Sequence, residues 1–343
     1  MASKPGAGMG RLPAVKGRSV LDSIGRTPLL ELGRLTHSLG LPDSVRLLAK
    51  AEHLNPGGSG KDRLALRLVE DAERRGLARG GTLVEATSGN TGIGLAIVAA
   101  ARGYRLRVVT GSKASEEKLR ILRALGAEVT VTPTVRHGDP QHYVEVAKGL
   151  AREIPGAVLL DQFRSGANVQ VHEEQTGPEL LEDALQLTGR IDAFVCGVGT
   201  GGTLMGVARY LRHASPGTRI ILADPVGSVL AGASAFAPYL VEGIGDDSIP
   251  PLFDPGAVDE SVQIPDAESF RYAVLAARTE GLLVGGSSGC HLAASAEVLR
   301  RLPRDAVVAT VLADTGRNYL TRFFDPDWCT ARGLAVVHGG ASA

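Results

Sequence analysis

Short apolar runs alternate with longer amphipathic stretches along most of this chain, and that alternation constrains the fold more than any other feature. The strand candidates are Arg46–Glu52, Thr82–Ala86, Arg105–Thr110, Glu128–Val131, Ala157–Leu160, Ile191–Cys196, Arg219–Asp224 and Ala306–Leu312. Between many of them lie helical patterns such as Lys61–Arg75, Thr91–Arg102, Ser115–Leu125, Leu204–His213 and Gly289–Arg301. Strand-helix-strand alternation predicts parallel sheets with helices on both faces. Runs such as FVCGV and VVATVLA are apolar without alternation, as strands buried on both sides are. The chain therefore reads as α/β, with two doubly wound, mostly parallel units and a cleft between them where strand ends meet helix starts. The division expected is a tail at 1–18, a smaller unit at 51–159, and a larger unit made of 19–50 plus 160–343.

Composition narrows the partner. Lys+Arg and Asp+Glu both number 37, so no global field points to nucleic acid or an anionic membrane, and a small molecule is the expected ligand. Cys196, Cys290 and Cys329 lie far apart, with no CxxC pair and no histidine at ligand spacing, so neither a disulfide framework nor a metal site is expected. A reducing cytoplasm fits that usage. No apolar run approaches a membrane span, and the first twenty residues lack the apolar segment of a signal peptide.

Three glycine-rich loops follow strand candidates. GVGTGGTLMG, Gly197 to Gly206, matches GxGxxG, with Asp224 closing the next strand in the manner of a dinucleotide fold. The physics is broader than that motif: glycines let backbone N–H groups approach closely, and a helix N-terminus favours an anion. EATSGNTGIGLA, Glu85 to Ala96, puts Thr87, Ser88, Asn90 and Thr91 at another helix start, a seat for a carboxylate. VGGSSGCHL, Val284 to Leu292, adds Ser287 and Ser288. A fourth stretch, NPGGSGKDR at Asn55 to Arg63, presents Lys61 behind a glycine turn, with Asp62 where a Walker-type phosphate loop requires Ser or Thr. A phosphate cup, a carboxylate cup and a lysine that a pocket can deprotonate are the parts needed for a phosphorylated aldehyde cofactor and an amino acid. Pyridoxal 5'-phosphate is the leading reading.

NPGGSGKDR, TSGNTG, GTGGT and GGSSG, in this order, resemble the fold type II pyridoxal-phosphate enzymes of the cysteine synthase and cystathionine β-synthase group. The likeness runs from SIGRTPLLEL at Ser23 to about Phe324, and LRALGAEV, DQFRSGAN, VEGIG and RNYLTRFF bring it nearest to the cystathionine β-synthase core. The resemblance implies a tryptophan synthase β-like architecture and a homodimer. It implies that Lys61 is the Schiff-base lysine, that Asn90 bonds the cofactor's ring oxygen, and that Gly199, Thr200, Gly201, Gly202 and Thr203 hold its phosphate. Ser287 would face the pyridine nitrogen, while Thr87, Ser88, Gly89, Asn90 and Thr91, with Gln162, would take the substrate carboxylate. Asp224 then becomes structural. The implied reaction is β-replacement on L-serine, O-acetylserine or O-phosphoserine through an aminoacrylate, giving cysteine, cystathionine or a related β-substituted alanine.

The strand after the carboxylate loop departs from the family, reading VVTGSKASEEK with Thr110, Gly111 and Ala114 in place of Met-Pro and Met-Ser turns. The smaller side chains widen the mouth, and Lys113 adds a cation that would favour an acidic donor. Neither the haem site nor the tandem regulatory domain of some relatives is expected. A serine/threonine dehydratase shares the first half-reaction and remains the alternative. An NAD-dependent oxidoreductase leaves Lys61 and SGNTG unexplained, and a non-catalytic pyridoxal-phosphate-binding protein would be expected to lose the lysine or the cup. His53, His291 and Cys290 read as structural.

Overall fold

Ten strands of the described residues form two sheets that meet across a cleft. The structure is a computed structural model that describes residues 19–334 apart from 88, 113 and 137. The strands are β1 Leu29–Glu31, β2 Arg46–Lys50, β3 Thr82–Ala86, β4 Arg105–Gly111, β5 Glu128–Thr132, β6 Val158–Leu159, β7 Ala193–Cys196, β8 Arg219–Pro225, β9 Glu260–Ile264 and β10 Val307–Val311. The larger sheet has the order β1-β2-β10-β7-β8-β9 and the smaller one β5-β4-β3-β6. All pairings are parallel except β1 with β2. The eight strand candidates read from sequence all appear, each end within two residues.

Helices on both faces explain the unbroken apolar strands. Every residue of β3, β7 and β10 is buried, as parallel strands covered on both sides must be. Around the larger sheet, one core gathers Val195, Ile221, Phe270, Leu292 and Val308, and the other face packs Phe194, Leu204, Leu222 and Val311. The smaller sheet has its own core of Leu64, Leu68, Leu83, Leu95 and Val108. β5 is an edge strand, and four of its five residues keep some exposure.

The strand ends set up the site. The loops leaving β3, β6, β7 and β10 lead to Thr87, Gln162, Gly197 and Ala313, all on the cleft. Ligands bind at the carboxyl ends of strands in sheets of this kind. No helix among the described residues is long and apolar enough to cross a membrane.

Candidate active site

The turn NPGGSGKDR is tied down by the residues on either side of its lysine. Asn55 accepts a hydrogen bond from Gly25 N at 2.8 Å and donates to Glu52 O at 2.9 Å. Asp62 folds back to accept from the Gly57 amide. Arg63, wholly buried, donates to both Glu52 oxygens at 2.8 Å and to both Glu179 oxygens at 2.7 Å. Burial raises the cost of charge on Glu52, yet the Arg63 hydrogen bonds and charge hold its carboxyl below the usual range. The flanking charges are thus spent on scaffolding. Lys61, the first residue of the helix Lys61–Arg74, lines the cleft.

Burial pushes the Lys61 ammonium down from its ordinary 10.5, against the opposing charges of Cys196 and Asp314. A lysine shifted in that direction gives up its proton more readily than an exposed one, which favours both nucleophilic and base chemistry. The cavity it faces measures about 640 Å³.

The positions singled out in the glycine loops converge on this cavity. Thr87, Gly89, Asn90 and Thr91 line one wall, and Thr91 donates to Gln162 Oε1 at 2.6 Å. Gly199 through Thr203 line another, with Ser287. Gly201 has φ +92° and a Cβ on Gly199 would collide with Gly243 O, so the loop needs both glycines. The helix Gly202–Ala214 starts at this loop and aims its N-terminus at the cavity. Ser88 and Lys113 lie outside the described residues.

The cavity residues that escaped the sequence reading include Asp314, Tyr319, Lys118 and His172. Asp314 Oδ2 accepts from Asn90 Nδ2 at 2.9 Å and from the Tyr319 hydroxyl at 2.7 Å. Lys118, nearly buried, donates to Glu242 Oε2 at 3.0 Å. RNYL is legible as a motif, but nothing in it says that Tyr319 reaches Asp314. Of the residues read as structural, His291 lines the cavity while being hydrogen-bonded to the backbone on both ring nitrogens, and His53 is partly buried with Nδ1 unpartnered in the protein. His291 Nε2 accepts from Gly197 N and its Nδ1 meets Val311 O, both at 2.8 Å, and burial pushes its pKa down to about 4. Buried Cys290 has its thiol pushed up to about 12 by desolvation, and buried Asp224 accepts from Ala231 N at 3.0 Å. Among the described residues no group of three or more His, Cys, Asp or Glu is placed to hold a metal ion.

A family model described as "Pyridoxal-phosphate dependent enzyme" matches residues 20–314. The chain belongs to the pyridoxal-phosphate dependent enzyme family. It is 43% identical over 321 residues to the cystathionine beta-synthase of Apis mellifera, an alignment covering 92% of this chain and 63% of that protein. The chain spans between 56% and 64% of the length of the cystathionine beta-synthases from honeybee, mouse and yeast that it matches. Among solved structures, an O-acetylserine dependent cystathionine beta-synthase from Helicobacter pylori superposes with TM-score 0.81 at 37% identity, covering 90% of this chain and 99% of that one. An O-ureido-L-serine synthase gives TM-score 0.85 at 35% identity, covering 95% and 98%.

The residues present fit the cofactor of this pyridoxal-phosphate family. Asn90 Oδ1 is buried without a partner in the protein, so a polar atom waits there for a ligand. The Gly199–Thr203 cup offers backbone N–H groups, two hydroxyls and a helix N-terminus, the donor set a phosphate requires.

Proposed function

We propose that this family member catalyses β-replacement on L-serine or an O-activated L-serine, O-acetylserine or O-phosphoserine, giving cysteine, cystathionine or a related β-substituted alanine. The observation that carries the reading is the position of Lys61 in one cavity with two donor cups, one suited to a phosphate and one to a carboxylate. The named relatives act in the same chemical territory, and three cysteines without a disulfide fit a cytoplasmic setting. The acting species is read as a homodimer.

Lys61, Asn90, Gly199, Thr200, Gly201, Gly202, Thr203 and Ser287 would hold pyridoxal phosphate. When bound, that group supplies an electron sink for the carbanion at Cα. Thr87, Ser88, Gly89, Asn90 and Thr91, with Gln162, receive the substrate carboxylate at the N-terminus of the helix Asn90–Arg102 and so fix which Cα bond is presented. Lys61 is the base that takes the Cα proton. Ser287 offers the ring nitrogen a hydroxyl rather than a carboxylate, which moderates the sink and favours loss of the β-substituent over transamination. The smaller unit, residues 51–159, closes on the carboxylate and keeps water from the reacting carbon.

The test is the visible spectrum of the purified protein with pyridoxal phosphate. A visible band of the lysine-bound cofactor should be present, should change with one of the three donors, and should return when a thiol is added. A Lys61→Ala protein should lack it. Release of pyruvate with no thiol product would make the protein a dehydratase instead. A protein that stays colourless with pyridoxal phosphate would end the reading.

A further inference from the structure

Two threonines carry the hydroxyls of the phosphate cup, and each has a buried nitrogen behind it. Asn168 Nδ2 donates to Thr200 Oγ1 at 2.8 Å, and His172 Nε2 lies 3.2 Å from Thr203 Oγ1. Asn168 is 0% exposed and His172 1%. They sit one turn apart, Asn168 on the helix Ala167–Val171 and His172 at the first position of the π turn His172–Thr176. That wider turn brings Thr176 Oγ1 to 2.9 Å from His172 Nδ1. π turns of this sort recur at functional sites. The segment is pressed against the helix Gly202–Ala214 because two glycines allow it: a Cβ on Gly202 would overlap Asn168 Oδ1, and one on Gly206 would stand 2.6 Å from His172 Cβ.

Donor accounting decides what the imidazole does. Burial, then the charges of Lys61 and Arg63, hold His172 well below its ordinary 6.5, so it is neutral and has one N–H. With the proton on Nδ1, Nε2 accepts from Thr203 and the hydroxyl turns lone pairs toward the cup. With the proton on Nε2, the ring donates to Thr203 Oγ1, Thr176 donates to Nδ1, and the Thr203 O–H is left to point at an anion. The Asn168 amide imposes the second arrangement on Thr200 without a choice, since its nitrogen can only donate.

We infer that His172 is a positioning residue for the phosphate cup: through its Nε2–H, set by Thr176, it holds Thr203 as a hydrogen-bond donor to the cofactor phosphate, as Asn168 does Thr200. The inference rests on the cup assigned under the proposed function and adds to it the device that fixes its polarity.

The experiment uses the full chain with pyridoxal phosphate. Histidine-labelled holoprotein should show, by 15N NMR with His172→Gln as the assignment control, Nε2 protonated and Nδ1 bare. Gln keeps a donor near the Nε2 position and Met does not. His172→Met and Thr203→Val should each weaken cofactor binding about tenfold, the scale of one hydrogen bond to a charged group. The double variant should be no weaker than either single one. His172→Gln should stay within about twofold of the parent and keep the 31P shift of the bound phosphate, which His172→Met should move. Should His172→Met not fold, Thr176→Val takes its place, with the expected shift of the proton toward Nδ1 and a weaker cofactor. A proton found on Nδ1 in the holoprotein, losses that multiply in the double variant, or an equal loss for phosphate-free pyridoxal would overturn the inference. Failure of the parent protein to take up pyridoxal phosphate would instead remove the cup itself, and with it the proposed function.

Discussion

At the scale of single residues, the site is built from charges held where water is scarce. Glu85, at the end of β3 just before the carboxylate loop, is 1% exposed, and Oε2 has no partner. Desolvation pushes its carboxyl from 4.5 up to about 8, with backbone amides near Gln162 only partly opposing. The folded chain therefore binds this proton more tightly than the unfolded one. Stability from this group is fully present below pH 4.5 and is lost as pH rises through about 8. Glu85→Gln should leave urea stability near that of the parent at pH 4.5 and gain on it steadily toward pH 8, by at most about 1.4 kcal/mol per pH unit. Equal curves at both pH values would show that Glu85 is ionised in the fold. Much of this site was legible in sequence because Lys61, Thr87, Asn90, Thr200 and Ser287 sit in glycine-rich loops at helix starts, where composition itself signals anion binding. Asp314, Lys118 and His172 carry no such mark. Their environment comes from chain segments that the fold alone brings together, Asn90 and Asp314 being 224 residues apart.

Elements tell the same story with different physics. Strands buried on both faces announce themselves as apolar runs, so β3, β7 and β10 are plain in the sequence. β1 and β9 are not, because they lie at the edges of the larger sheet and carry residues such as Glu31, Ser261 and Gln263 on exposed positions. The helix Gly286–Arg301 begins three residues before the reading Gly289–Arg301, since glycine and serine at its first turn weaken the periodic signal. Nothing in the sequence gives a role to the stretch after Phe324 that holds Trp328 and Cys329, and packing supplies one. Phe323 stacks on Phe270 at 4.7 Å between ring centroids, and Trp328 meets Phe270 edge-on at 5.9 Å. These contacts fasten the segment that carries Asp314 and Tyr319 to the helix Asp266–Glu280. Phe323, 2% exposed, should cost about 3–5 kcal/mol when replaced by Ala, read as a lower urea midpoint at unchanged slope. A loss under about 1 kcal/mol would mean the segment docks by other contacts.

The whole molecule is two sheets with their helices, and polar ties among the described residues span the cleft. Asn90, from the side of the smaller sheet, reaches Asp314, and Lys118 on the helix Glu116–Ala124 reaches Glu242 and, at 3.4 Å, the Tyr319 hydroxyl. Glu242 also receives Arg322, so one carboxylate gathers a cation from each side of the cleft. Lys118 pays most of the desolvation in that pair: its side chain is 5% exposed, against 34% for Glu242. Removing Glu242 therefore strands a buried ammonium, which is pushed toward its neutral form, whereas removing Lys118 leaves Glu242 with Arg322 and some water. The two replacements should consequently differ. Glu242→Gln should destabilise more than Lys118→Met, and the cycle with the double variant should give a coupling of about 1–2 kcal/mol, as for contacting charges in one network. If donor binding draws its strength from a closed cleft, Lys118→Met should also raise the donor KM on the order of fivefold, with kcat changed less. Additive losses in the urea cycle would show that Lys118 and Glu242 are not coupled across the cleft, and an unchanged KM would place closure elsewhere than on this tie.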